Sequence, residues 1–286
     1  MRASEIYQAV QNYTALTFLL SDYDLDRAWS WKDYDEGVRF SFFRVYEELR
    51  QLAARLGSSR SRTNQPLTTA QHTLAQYHAA YRDLQAVLIG VSDEHADRPP
   101  AEGEWPARGA LAHMIGAERT FFAINLDALQ QVRSGNEHPL EISDEAWEAF
   151  WLGDDFDELK KEAAASELLS YYGELHWRVM TELADISEAE LPTPVVFWES
   201  TPMPMEVRLH RFDAHLRQHT IQIEKALEAI GLSFTEAKRL LRLIYAALAD
   251  VESQAIGLED FGAVEGAEVV TLINGYSSEI KEILRA

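Results

Sequence analysis

Apolar positions recur along nearly the whole chain at intervals of three and four residues, the spacing of one buried helix face. Residues 4–22 carry Ile6, Val10, Tyr13, Leu16, Leu19 and Leu20 in this rhythm, with Ser4 placed to cap the start. Residues 36–56 repeat it with Val38, Phe42, Val45, Leu49, Leu52 and Leu56, and residues 68–90 with Leu74, Tyr77, Tyr81, Leu84 and Leu88. A helix opening at Trp105-Pro106 is apolar on most sides, which predicts burial. Further helices are predicted over 158–185, 207–230, from the capping box Ser233-Phe234-Thr235-Glu236 to about 252, and over 267–284. No segment alternates with the period of two that a half-buried strand needs.

Polar and turn-forming residues punctuate this pattern. Ser21 to Asp35 reads as a turn holding Trp29 and Trp31, an interaction surface or plain core. Gly57 to Pro66 is small and polar and reads as a linker, with Arg60 and Arg62 in solvent. Residues 91–100 and 191–204 read as connections, and Ser143 can cap a short helix inside the acidic, aromatic stretch 134–157. Short connections favour antiparallel neighbours. The expected fold is all-α, an up-down four-helix bundle with additional helices at both ends, about eight or nine helices in total.

Charge and composition narrow the function. With 47 acidic against 26 basic residues, a net charge of −21 disfavours nucleic acid and anionic membrane surfaces as partners. The absence of cysteine excludes disulfides, thiolate ligands and thiol nucleophiles, so any metal must use His, Asp or Glu. No apolar run approaches a membrane span, and no signal peptide is evident, so a cytoplasmic protein is the expectation.

Nine histidines are the remaining source of chemistry. His215 and His219 are four apart on one helix, so both imidazoles point from one face and can reach one ion. His95 and His138 fall in acidic loops, His72 and His78 point in different directions, His176 has no obvious partner, and His210 lies off the pair's face. His113 stands in Ala110-Leu111-Ala112-His113-Met114-Ile115-Gly116-Ala117, where a titratable ring must be neutral and hydrogen-bonded or bind a metal. Each feature also has a plain reading: a satisfied core histidine, and a helical pair with no ion.

Trp105-x-x-Arg108-x-x-Leu111-x-His113 followed by Gly116-Ala117-Glu118, and later His215-x3-His219-x2-Gln222, resemble the second and fourth helices of the DinB/YfiT-like superfamily. The resemblance covers about residues 67–232. It leaves 1–66 and 233–286 as flanking helical pairs expected to pack together against the bundle. It implies a divalent metal held by His113, His215 and His219, with Zn, Ni and Fe all suited to an all-histidine set. It also implies kinship with thiol-dependent enzymes, among them bacillithiol S-transferases and mycothiol-dependent maleylpyruvate isomerase.

Three histidines leave a coordination position open, the pattern of a catalytic site. The expected function is a metal-dependent enzyme acting on a small-molecule substrate, activating water or an external low-molecular-weight thiol, of S-transferase or hydrolase type. The alternative is a non-catalytic binding bundle with a structural metal or none. A homodimer is a general expectation. Glu118, Asp213 and Glu224 are candidates to orient the ligands, with Glu118 and Glu224 read as surface acids. Arg211 and Arg217 can meet an anion at the mouth or simply be solvated, and Trp198 can shape a pocket or fill core.

Overall fold

The computed structural model describes residues 5–136, 141–198, 201–258 and 261–285. Among them are twelve helices and two short hairpins. Ser4 and His138, both singled out in the sequence, lie outside the described residues. No helix of the described residues is long and apolar enough to cross a membrane.

The chain divides into two compact units, 1–66 with 82–90 and 233–286, and 67–81 with 91–232. The first contains α1 (Glu5–Thr17), α2 (Asp22–Leu25), the hairpin β1–β2 (Ser30–Trp31, Tyr34–Asp35), α3 (Val38–Arg62), α11 (Glu236–Ser253) and α12 (Ala263–Arg285). α4 (Thr69–Val87) divides between the two units near residue 81. Packing is mainly α3 on α11 and α1 on α12. The predicted stripe of α3 is the buried one: Val38, Phe42, Val45, Leu49, Leu52 and Leu56 join Val10, Tyr13, Leu241, Ile244, Leu248, Ile273 and Ile280 in one core. Arg82 and Glu252 form a buried bidentate ion pair in this unit, at 2.8 and 2.6 Å.

Two local readings are corrected here, the linker with its arginines and the extent of the first helix, and a third is resolved. The supposed linker from Gly57 is largely helix, because α3 runs on to Arg62. Hydroxyls there bond back along the helix, Ser61 to the Gly57 carbonyl and Thr63 to that of Ser59, both at 3.1 Å. Arg60 is buried, not solvated, and donates to the carbonyls of Gln65, Gln254 and Ile256. The first predicted helix stops at Thr17, leaving Leu19 exposed, and Ser21 caps α2 through a reciprocal box with Asp24. Trp29 is core: its Nε1 donates to Glu279 at 2.8 Å and its ring meets the edge of Tyr276.

The second unit holds the first part of α4, α5 (Asp93–Asp97), α6 (Ala107–Arg133), α7 (Asp144–Phe150), α8 (Phe156–Glu162), α9 (Ala165–Glu182), the hairpin β3–β4 (Pro194–Val195, Met203–Pro204) and α10 (Met205–Ala229). α6 packs on both α9 and α10. Each long helix buries a stripe at helical spacing, Leu168, Tyr172, Leu175 and Val179 on α9, and Leu209, Phe212, Leu216 and Ile223 on α10. The helix predicted over 158–185 is two helices. Ala163 and Ala164 are extended between them, and Glu167 accepts from the Ala164 N–H to start α9. Ser143 caps α7 as the sequence suggests.

Candidate metal centre

α10 positions the histidine pair. His215 and His219 stand one turn apart beside the buried stripe, at 8% and 6% exposure. Their Nε2 atoms are 3.1 Å apart. Tetrahedral coordination with metal–nitrogen bonds of about 2.0–2.1 Å spaces ligand nitrogens roughly 3.3 Å apart. The pair thus stands at ligand spacing before any ion is considered.

α6 brings the third ring. One ligand nitrogen from each of His113, His215 and His219 lies within 4.8 Å of the others. The His113 ring centroid is 4.8 Å from that of His219 and 5.6 Å from that of His215. His113 is not the buried ring its apolar neighbours suggest. It is exposed, with Trp105 against it at 5.1 Å. Neighbours along a helix point to other faces, and position 113 falls on the face that opens to solvent.

The surroundings of His215 and His113 favour the neutral ring, the form that binds metal. Burial pushes the His215 pKa down to about 3, helped by the neighbouring His219, His113 and Arg211. Burial, then His219, lowers that of His113. The His219 Nδ1–H donates to Gln222 Oε1 at 2.9 Å, which leaves the Nε2 lone pair facing His215. The His215 Nδ1 is buried without a hydrogen-bond partner. Its ring is braced by the edge of Phe121 at 5.4 Å, and Phe121 stacks on Phe197 and Trp198 of the β3–β4 hairpin. Arg208 fixes that hairpin, reaching the carbonyls of Val195 and Thr201 with its guanidinium over the Phe197 ring at 4.1 Å.

This is a histidine group that can hold a divalent metal, carried on two helices headed by Trp105 and by the hairpin. The model of the DinB superfamily matches residues 76–223, about half of the chain and both histidine-bearing helices. The chain belongs to the DinB superfamily. No curated protein and no solved structure matches it.

Of the remaining DinB-like candidates, Gln222 rather than a carboxylate orients His219. Asp213 is held by Arg217 at 2.7 Å, and Glu224 is half-buried. Glu118 is not a surface acid. It is fully buried and accepts from the Tyr77 hydroxyl at 2.6 Å and the Tyr172 hydroxyl at 2.8 Å. Burial raises its pKa to about 8, against the opposing effect of both tyrosines. His78 and His176 form a second buried pair, Nδ1 to Nε2 at 2.9 Å, with His176 stacked on Tyr81 at 3.8 Å. The sequence gives no signal for either cluster, since their members are 41 and 98 residues apart. His72 and His210 are exposed, and His95 sits beside Ser92.

Proposed function

We propose that this DinB superfamily protein is a metal-dependent enzyme in which His113, His215 and His219 hold one divalent ion and leave a coordination position open to a small-molecule substrate. The observation that carries this reading is the pair of buried imidazoles with Nε2 atoms 3.1 Å apart, converging with a third ring that is exposed. An all-histidine set suits Zn, Ni or Fe.

When bound, such an ion supplies Lewis acidity toward a water or an external low-molecular-weight thiol, which supports hydrolysis or S-transfer. The chain has no cysteine, so a thiol must come from outside. The residues around the site do the positioning. Gln222 fixes the tautomer of His219, Phe121 restricts rotation of His215, and Trp105 shields one side of His113 while leaving it open to solvent. The net charge of −21 speaks for neither nucleic acid nor a membrane surface as partner.

Metal analysis of the chelator-free protein after loading tests the reading. Wild type is expected to hold about one equivalent, and His113→Ala, His215→Ala and His219→Ala far less. A wild-type content below about a tenth of an equivalent refutes the metal site. Metal retention with no turnover of any water- or thiol-acceptor pair across a broad panel favours a non-catalytic bundle.

A further inference from the structure

Three side chains around the candidate centre are left without an internal role. Trp198 is 65% exposed and Trp105 is 48% exposed. Large indoles normally bury most of their surface, and these two hold theirs in water beside the histidines. One face of Trp198 lies against Phe121 at 5.9 Å, the same ring that braces His215, so its remaining surface is free at the edge of the site. Trp105 stands against His113. Neither position is loose, since Arg208 pins the hairpin before α10 and Pro106 fixes the start of α6.

The third is Arg211. It lies one turn before His215 and therefore on the same side of α10. It is exposed. Nearby cations are engaged: Arg217 pairs with Asp213, and Arg208 is spent on carbonyls and the Phe197 ring. Arg211 makes no ion pair or hydrogen bond with any described residue, in a chain with 47 acidic side chains against 26 basic ones. An unpaired guanidinium is a ready partner for a carboxylate, which it can grip through two parallel N–H donors.

We propose that the mouth of the three-histidine site binds a small planar anion, an aromatic carboxylate or a close analogue, with its ring against Trp198 or Trp105 and its acid group on Arg211. This assigns the substrate class of the reading above and rests on it for the identity of the site. The indoles supply flat apolar surface at little conformational cost, and the guanidinium supplies the charge discrimination.

The test is titration of the purified, metal-loaded full chain with 2-naphthoate and with 2-naphthylmethanol, which keeps the ring and lacks the charge. Tryptophan fluorescence and calorimetry report binding, and metal content is measured on every sample. Naphthoate is expected to bind about tenfold or more tightly than the alcohol, with a salt dependence the alcohol lacks. Arg211→Gln is expected to remove that preference and leave alcohol binding and metal content unchanged. Trp198→Ala is expected to weaken both probes. The proposal is overturned if neither probe binds at millimolar concentration, if naphthoate shows no advantage over the alcohol, or if Arg211→Gln leaves the advantage intact. It is equally overturned if His215→Ala, and not Arg211→Gln, abolishes naphthoate binding, since the carboxylate is then simply a metal ligand. A wild type that holds no metal but binds naphthoate through Arg211 sinks the metal reading and keeps this one. A wild type that holds metal and ignores Arg211 does the reverse.

Discussion

Replacing Glu118 by glutamine tests whether the bundle holds a neutral carboxylic acid. Glu118 is fully buried on α6 between the hydroxyls of Tyr77 and Tyr172, and burial lifts its pKa from 4.5 to about 8. The titratable groups facing it are these two tyrosines, themselves held neutral by burial and by the carboxyl. Between pH 4.5 and about 8 the folded chain keeps the Glu118 proton and the unfolded chain has lost it. Folding takes up a proton over that window, so the contribution of Glu118 is most favourable below the lower value and is lost as pH rises through the upper one. At 1.36 kcal/mol per pH unit, the shift corresponds to a loss of order 5 kcal/mol. Glutamine has the same shape, offers one acceptor and one donor group as the protonated acid does, and cannot ionise. Glu118→Gln is therefore expected to match wild type near about pH 5 and to exceed it increasingly toward about pH 9. Urea unfolding of both proteins across that range measures the difference, in which all other titrations cancel. An infrared band of a buried, protonated carboxyl should be present in wild type and absent from the variant. Parallel stability profiles, or no such band, would mean that Glu118 is ionised in the folded chain and that the tyrosines compensate its burial in full.

Two further perturbations probe the first unit. Glu252→Ala removes the carboxylate that neutralises the Arg82 guanidinium, in a pair 2% and 5% exposed, and is expected to destabilise by about 3–5 kcal/mol in urea unfolding; a change under about 1 kcal/mol would show that the guanidinium is accommodated without this carboxylate. Gly90→Ala meets both a left-handed backbone (φ +70°) and a ring carbon of Phe18 at 2.7 Å from the new Cβ. It is expected to lower stability by more than about 1 kcal/mol. Gly103→Ala, at φ +83° with nothing within 4 Å, should show the smaller backbone effect alone; equal losses at the two positions would discount the Phe18 contact.

What the sequence made legible was whatever is local. The stripes of α3, α9 and α10 follow from spacing within one helix, and the His215–His219 pair is a relation between neighbours one turn apart. The misread features depend on distant partners. Arg60 looks like a loop arginine until the carbonyls of Gln254 and Ile256, some 195 residues later in the chain, are placed beside it. Glu118, five residues after His113, looks like a surface acid. Its burial rests on Tyr77 and Tyr172, which no spacing rule pairs with it. His113 shows the same limit in reverse. Its neighbours Leu111, Met114 and Ile115 are buried as their character demands, yet its own face of α6 is the one left open.

Two polar clusters buried in the second unit differ from the three-histidine group, and the difference supports the proposed site. Glu118 is hydrogen-bonded to the hydroxyls of two tyrosines, and His78 bonds His176 within a stack of aromatic rings. In both clusters the side chains face one another, and buried polar networks of this kind fix a single packing of the core. The three-histidine group is open. His215 has an unpartnered buried nitrogen, His113 stands in solvent, Arg211 has no counter-charge among the described residues, and two indoles stay exposed around them. Groups that converge on one side of α6 and α10 without closing on each other are the ones a ligand can satisfy, which is the argument for placing both the proposed cation and the proposed flat anion there.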